Sequence, residues 1–367
     1  MAAGDYAILV GIAKYADAST FCDLQGPLND VALMTAWLTA ADGGNVPAAN
    51  ITTIVSPPVV PPGTDPDSFR PVMEDFKRAY RKLVTDPQGH FIRRIGRLYL
   101  YFSGHGFCER KSLTPQATLY AANATREFPD NIFGTHYALD AKDKALFSEI
   151  VLIMDCCRDA EVNRPVEVPA ISQAGSSAAG DTKLFCAYAT SKGGKAQERP
   201  IAERGNRVHG LLTHAFLKAM KEARPDAGMA ISGSALKRHL LETWNTLCGD
   251  TPAPMPEIPA PTGTDIQFPS QNLGILQGFE IADYPGTPTV MEVLDSAKHS
   301  LARCDLQPPP GASTVTWNGN GPSNLAFDGR AFSLQLQPSF YKYVLSGGLS
   351  REGLFAVEVQ GGLNVKL

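Results

Sequence analysis

Short unbroken apolar runs punctuate the first two thirds of the chain, with stretches of helical apolar spacing between them. The runs are Asp5 to Gly11 (DYAILVG), Ile51 to Val55, Arg97 to Phe102, Thr118 to Ala122, Ile150 to Met154 and Leu184 to Tyr188. A strand covered on both faces, as in a parallel sheet, reads this way, whereas a half-exposed strand would alternate. Between them, Pro27 to Thr39 predicts a helix with Asn29 or Asp30 near its start. Phe69 to Val84 predicts an amphipathic helix whose Lys77, Arg78, Arg81 and Lys82 form a solvated face. Two more helices are expected at about 209–222 and 232–247, the second capped by Ser232. Strands alternating with helices imply an α/β fold with a doubly wound, mostly parallel sheet flanked by helices.

The pattern changes in three places. SPPVVPPGTDPD, after Val55, is too rich in proline for regular structure and predicts a surface loop. Residues 158–181 are small and polar and predict a long mobile loop. TPAPMPEIPAP, Thr251 to Pro261, reads as a connector. The expected division is a first domain over 1–276 and a smaller β-rich or α+β domain over 280–367. The latter has one helical stretch (Thr289 to Ala302), then alternating segments such as STVTW, FSLQLQ and LFAVEVQ.

Composition narrows the function classes. Hydrophobic residues at 44% and charged residues at 19% describe an ordinary globular protein. The net charge is 33 − 37 = −4 with no basic cluster, so nucleic acid is not an expected partner. No run reaches the roughly 20 apolar residues of a membrane helix, and the opening MAAGDYAILVGIAKY lacks the basic segment of a secretory leader. Seven scattered cysteines, with one adjacent pair at Cys156-Cys157, point to reduced thiols in a cytoplasmic setting.

Two of the predicted strands end in chemistry. Arg97 to Phe102 runs into Ser103-Gly104-His105-Gly106, and Val151 to Met154 runs into Asp155-Cys156-Cys157-Arg158-Asp159. Catalytic groups gather at the carboxyl ends of parallel strands. A thiol attacks an amide only when a base, most often histidine, makes it a thiolate. Backbone N–H groups beside glycine can hold the resulting oxyanion. Singly, a buried histidine or cysteine is more often structural; together, at two strand ends 52 residues apart, they imply a catalytic pair.

YFSGHG, the downstream DCC and the early LVGI…LQGPLNDV together resemble the caspase-like cysteine peptidases, closest to the metacaspase and bacterial orthocaspase branch. The likeness covers roughly residues 5–276, and the His–Cys spacing agrees with the value of about 50 typical of caspases. It implies a caspase-type sheet, His105 as general base and a thiol nucleophile forming an acyl-enzyme. It also implies an oxyanion hole from the N–H groups of Gly106 and Cys157. The family's Asp-x-Cys pattern assigns the nucleophile to Cys157 and leaves Cys156 in the variable middle position. Where relatives continue Cys-His-Ser-Gly, this chain has Cys157-Arg158-Asp159-Ala160.

The resemblance further implies an acidic S1 pocket built from Asp30, Ser103 and Asp155. Two carboxylates facing one pocket repel, and a substrate Arg or Lys relieves that repulsion through charge-assisted hydrogen bonds. Cleavage after basic residues is therefore expected, with two complications: Asp30 as a simple helix-start acid, and Arg158 neutralising Asp155. Arg158, Arg164 and Lys183 are expected self-cleavage sites in the 158–183 region. His209 and His214, five apart, are assigned no role. No cofactor is expected: His105, Cys108, Cys156 and Cys157 would chelate zinc poorly. Calcium activation, known in some metacaspases, has no visible loop to support it. Expected partners are protein or peptide substrates, with a regulatory protein docking on 280–367. The alternative is a catalytically silent or partner-gated peptide-binding module.

Overall fold

The computed structural model describes residues 4–367, apart from 62, 112–113, 162–165, 167–174, 224–229, 250, 262–263, 270–274, 296–297, 318–321, 337–338 and 358–363. The chain divides into two compact units: residues 1–219 with 236–267, and residues 220–235 with 268–367.

The first unit begins with β1 (Tyr6–Gly11), α1 (Gly26–Thr39), β2 (Ile51–Val55), α2 (Met73–Val84) and β3 (Arg94–Gly104). Short strands β4 (Gly106–Glu109), β5 (Thr118–Tyr120) and β6 (Asn131–Ile132) lead to α3 (Gly134–Asp143). Then follow β7 (Phe147–Cys156), β8 (Asp159–Glu161), β9 (Lys183–Tyr188), β10 (Glu198–Ile201), β11 (Arg207–Gly210) and α4 (Leu211–Glu222). After β12 (Ala230–Ser232), which belongs to the second unit, comes α5 (Gly233–Cys248).

The main sheet has the order β2-β1-β3-β7-β9, and every pairing within it is parallel. The unbroken apolar runs of β3 and β7 are explained by cover on both faces. On one face Leu98, Leu100 and Phe102 pack with Phe76 and Tyr80 of α2 and Tyr137 of α3. On the other, Trp37 of α1 lies edge-on to Tyr99 and to Phe216. In α2 only Phe76, Tyr80 and Val84 are buried, a strict four-residue repeat that leaves its basic residues outside. A second sheet, β6-β5-β4-β8, stands at the carboxyl edge of the first. Its β8 lies at the start of the stretch expected as a long loop, half of which lies outside the described residues.

One local expectation changes and another holds. The α1 N-terminus is not capped by Asn29 or Asp30. Glu198 does this from β10, accepting from Gln25 N (3.0 Å) and Gly26 N (2.8 Å). Ser232 does accept from Ala235 N at 3.1 Å at the start of α5, as expected.

The second unit is β-rich. A six-stranded antiparallel sheet includes Thr289–Leu294, Ser300–Leu306, Ser313–Trp317 and Ser339–Gly347. The helix expected over Thr289 to Ala302 is thus a hairpin. Thr289, Met291 and Val293 alternate inward, the strand period, and the β-branched residues among them favour that choice. The Asp295 carboxylate closes the turn by accepting from His299 N at 2.8 Å. Among the described residues no helix is long and apolar enough to cross a membrane.

Candidate active site

Strands β3 and β7 are parallel neighbours, with Ser103 opposite Asp155 and Gly104 opposite Cys156. His105 and Cys157 are each the next residue along. Both therefore leave the sheet at the same level, on strands spaced by about 4.8 Å.

His105 is held on three sides. Its backbone N–H donates to Tyr15 Oη at 2.8 Å, and its ring lies against Tyr15 and Phe21, with centroids 5.0 and 5.7 Å away. Its Nε2 is 2.8 Å from the Cys22 carbonyl. A carbonyl oxygen only accepts, so Nε2 carries the proton and the neutral ring keeps its lone pair on Nδ1. Burial lowers the His105 pKa below the ordinary histidine value, against the raising effect of the Cys22 bond and the charges of Glu198 and Asp159. At pH 7 the ring is a free base.

The two cysteines differ sharply. Cys156 is fully buried in the core, its Sγ pressed beneath Gly106. A Cβ on Gly106 would sit 2.6 Å from that sulfur and 2.7 Å from Thr118 O, so only glycine fits. Tyr120 N donates to His105 O at 3.0 Å. That pattern makes Gly106 and Leu119 a pair without direct bonds and leaves Gly106 N–H outside the ladder. Cys157 is half-buried, and its Sγ is 3.9 Å from Ala196 O. Burial pushes its thiol up to about 11. Among the described residues no hydrogen bond joins Cys157 to His105, although both leave the same edge of the sheet.

Beneath them lie the three expected pocket residues, all inaccessible: Asp30 is 0% exposed, Ser103 3% and Asp155 5%. Asp30 accepts from Ser103 Oγ (3.2 Å) and Gly210 N (3.0 Å), and Nδ1 of His209 is 2.9 Å from its Oδ1. Asp155 accepts from both the backbone N (2.9 Å) and the hydroxyl (2.6 Å) of Thr213. Gly210 fits so closely between the acids that a Cβ there would meet Asp155 Oδ2 at 2.2 Å. Burial raises the Asp30 pKa well above the carboxylate range, and Glu198 adds to it. Burial, then the Asp30 charge, pushes Asp155 up to about 7. Burial thus favours the neutral form of both acids relative to exposed carboxylates.

The flanking basic residues are placed differently from the expectation. Arg158 is 1% exposed and bonds Glu257. Lys183 opens β9 and donates to Glu149 at 2.9 Å. Arg164 lies outside the described residues.

Several site residues had no sequence signal pointing to them. Tyr15, Phe21 and Cys22 sit in an irregular segment before α1, and only the fold brings them to His105. Thr213 and His209 meet Asp155 and Asp30 through the turn from β11 into α4. His209 lies in β11, and its partner Asp30 is 179 residues earlier, so no local spacing points to it.

The caspase-domain family profile matches residues 5–248 of the chain. A probable protease from a Desulfuromonadales bacterium is 26% identical over 236 residues, which is 59% of this chain and 26% of that relative. The chain thus spans about a quarter of that relative's length.

Proposed function

The chain belongs to the caspase-domain family of peptidases, and on that premise we propose that it is a cysteine endopeptidase cutting proteins after Arg or Lys. The supporting observation is the register of β3 and β7, which pairs Ser103 with Asp155 and Gly104 with Cys156, the residues just before His105 and Cys157, with Asp30 bonded to Ser103. In this reading the substrate guanidinium or ammonium enters between Asp30 and Asp155. It displaces the Gly210 and His209 contacts and drives both acids to their ionised forms.

The chemistry follows from the tautomer of His105. Nδ1 takes the proton from Cys157 Sγ as the sulfur attacks the scissile carbonyl. The N–H groups of Gly106 and Cys157 receive the oxyanion. The imidazolium returns the proton to the departing amine, leaving a thioester, and a water activated by the same nitrogen hydrolyses it. In apo enzymes such bonds are often long and tighten only with substrate. Rotation of Cys157 about χ1 away from Ala196 is the movement required.

The thiol pKa of about 11 and the absence of a Cys157–His105 bond favour a second reading, an enzyme gated by a partner. Residues 280–367, as an accessory domain, are the surface we assign to that partner. We assign self-processing to Arg164, since Arg158 bonds Glu257 and Lys183 bonds Glu149.

The test is hydrolysis of matched fluorogenic peptides ending in Arg, Lys or Asp, with and without calcium, by the full chain and by Cys157→Ala. The expected result is cleavage after Arg and Lys that vanishes in the variant. Cleavage after Asp would refute the acidic-pocket reading, and silence on every peptide would favour the gated or binding module.

A further inference from the structure

The residue that follows the candidate nucleophile is a fully buried arginine, and its counter-charge comes from beyond the family-matched residues 5–248. Arg158 Nε donates to Gln116 O and Nη1 to Thr190 O, each at 2.8 Å, and the guanidinium lies 4.7 Å from the centroid of Tyr188. Among the described residues its carboxylate partner is Glu257 Oε2, bonded to Nη1. The backbone is tied as well: Arg158 N donates to Gly194 O (3.0 Å), and Arg158 O accepts from Gly193 N (2.7 Å) and the Cys108 thiol (3.2 Å). The turn carrying Cys157 is thus pinned immediately after the sulfur.

Glu257 is held in place by the strap that follows α5. Its backbone exchanges two 3.0 Å bonds with Tyr188, adding an antiparallel bridge at the free edge of β9. Trp244 Nε1 donates to Ala253 O at 3.3 Å, Arg199 donates to Pro252 O at 3.2 Å, and Ile258 is buried. What reads in sequence as a proline-rich connector is therefore a fixed element that delivers one carboxylate to one buried cation.

We propose that Glu257 is a positioning residue for the active site: through Arg158 it holds the Cys157 turn in register with His105, so the strap completes the catalytic unit. This rests on Cys157 being the nucleophile. A buried guanidinium stripped of its carboxylate must find water or another acid, and Asp159 is next to it in the chain. Either move drags the Cys157 backbone, whose N–H is assigned to the oxyanion, and sub-ångström shifts there affect turnover more than binding.

The experiment compares the full chain with Glu257→Gln and Glu257→Asp by three readouts: kcat and KM on an Arg peptide, the rate of iodoacetamide alkylation at Cys157 read by peptide mass spectrometry, and the melting temperature. Glu257→Gln is expected to lower kcat about 10- to 100-fold with KM within about twofold. Alkylation of Cys157 should speed up as the turn loosens, and Glu257→Asp should restore most of kcat. Assays run below the melting point of each variant separate this from unfolding. Unchanged kcat and alkylation in Glu257→Gln would overturn the proposal while leaving the peptidase reading intact. If the wild-type chain cleaves nothing, that reading falls instead, and equal alkylation rates in wild type and Glu257→Gln would overturn the positioning role by itself.

Discussion

Replacing His105 with alanine is expected to lower kcat on an Arg peptide by about a thousandfold, near 4 kcal/mol of barrier, with little change in KM. The size follows from the resting thiol. With its pKa near 11, Cys157 is almost wholly protonated at pH 7.5, because burial outweighs the lowering effect of the nearby Lys195 charge. His105 is the group positioned to take that proton, because the Cys22 carbonyl occupies Nε2 and burial keeps the ring neutral. The side chain lies outside the acidic pocket, so ground-state binding should be spared. Steady-state kinetics on the purified variant check this. A loss confined to KM would show that the histidine binds substrate and does no proton transfer.

The second large effect is expected at Asp155, where activity and stability should move in opposite directions. Asparagine keeps an acceptor for Thr213 but cannot answer a cation. kcat/KM for Arg peptides should fall about a hundredfold, some 3 kcal/mol, the range for truncating one partner of a buried charged contact. Stability follows from the raised pKa. Asp155 titrates near 7 in the fold and near 3.9 in an unfolded chain. Between those values the folded state binds the extra proton, so this residue lowers stability as pH rises from about 4 to 7 and by a constant amount above. Asp155→Asn should therefore be more stable at pH 8, by at most about 4 kcal/mol, and close to wild type at pH 4. Denaturant melts at the two pH values measure it. Equal stability at both would mean that Asp155 is ionised in the empty pocket. The same linkage predicts proton release when an Arg peptide binds near pH 6.

A buried pair of acids that weakens the fold is the kind of local violation that marks a functional site. Asp155 was visible in the sequence because it ends the apolar run of β7, and Ser103 because it ends that of β3. Those runs also disclosed the parallel sheet, since burial on both faces leaves no alternation to confuse with another architecture. Asp30 came only through the family pattern, as its helix-start position alone suggests a cap, a task Glu198 performs.

The losses have physical causes too. Helix α3, GTHYALDAKD, was missed because its buried face rests on Tyr137 and small alanines, too weak an apolar stripe to announce itself. The hairpin from Thr289 was misread because TVMEVL followed by a polar segment also fits a helical repeat; Asp295 closing its own turn decided the matter. Glu257 sits among prolines with no periodicity, and its meaning depends on Arg158, 99 residues earlier. Contacts of that range carry no local signature.

The central claim is that Cys157 attacks the carbonyl of a basic P1 residue. Its most direct test is incubation of the full chain with matched chloromethyl ketones ending in Arg or Asp, followed by mass mapping of the modified peptide. Stoichiometric labelling of Cys157 by the arginyl reagent is expected, abolished in His105→Ala, with none by the aspartyl one. Labelling at Cys156 or Cys22, or labelling of Cys157 only by the aspartyl reagent, would contradict it.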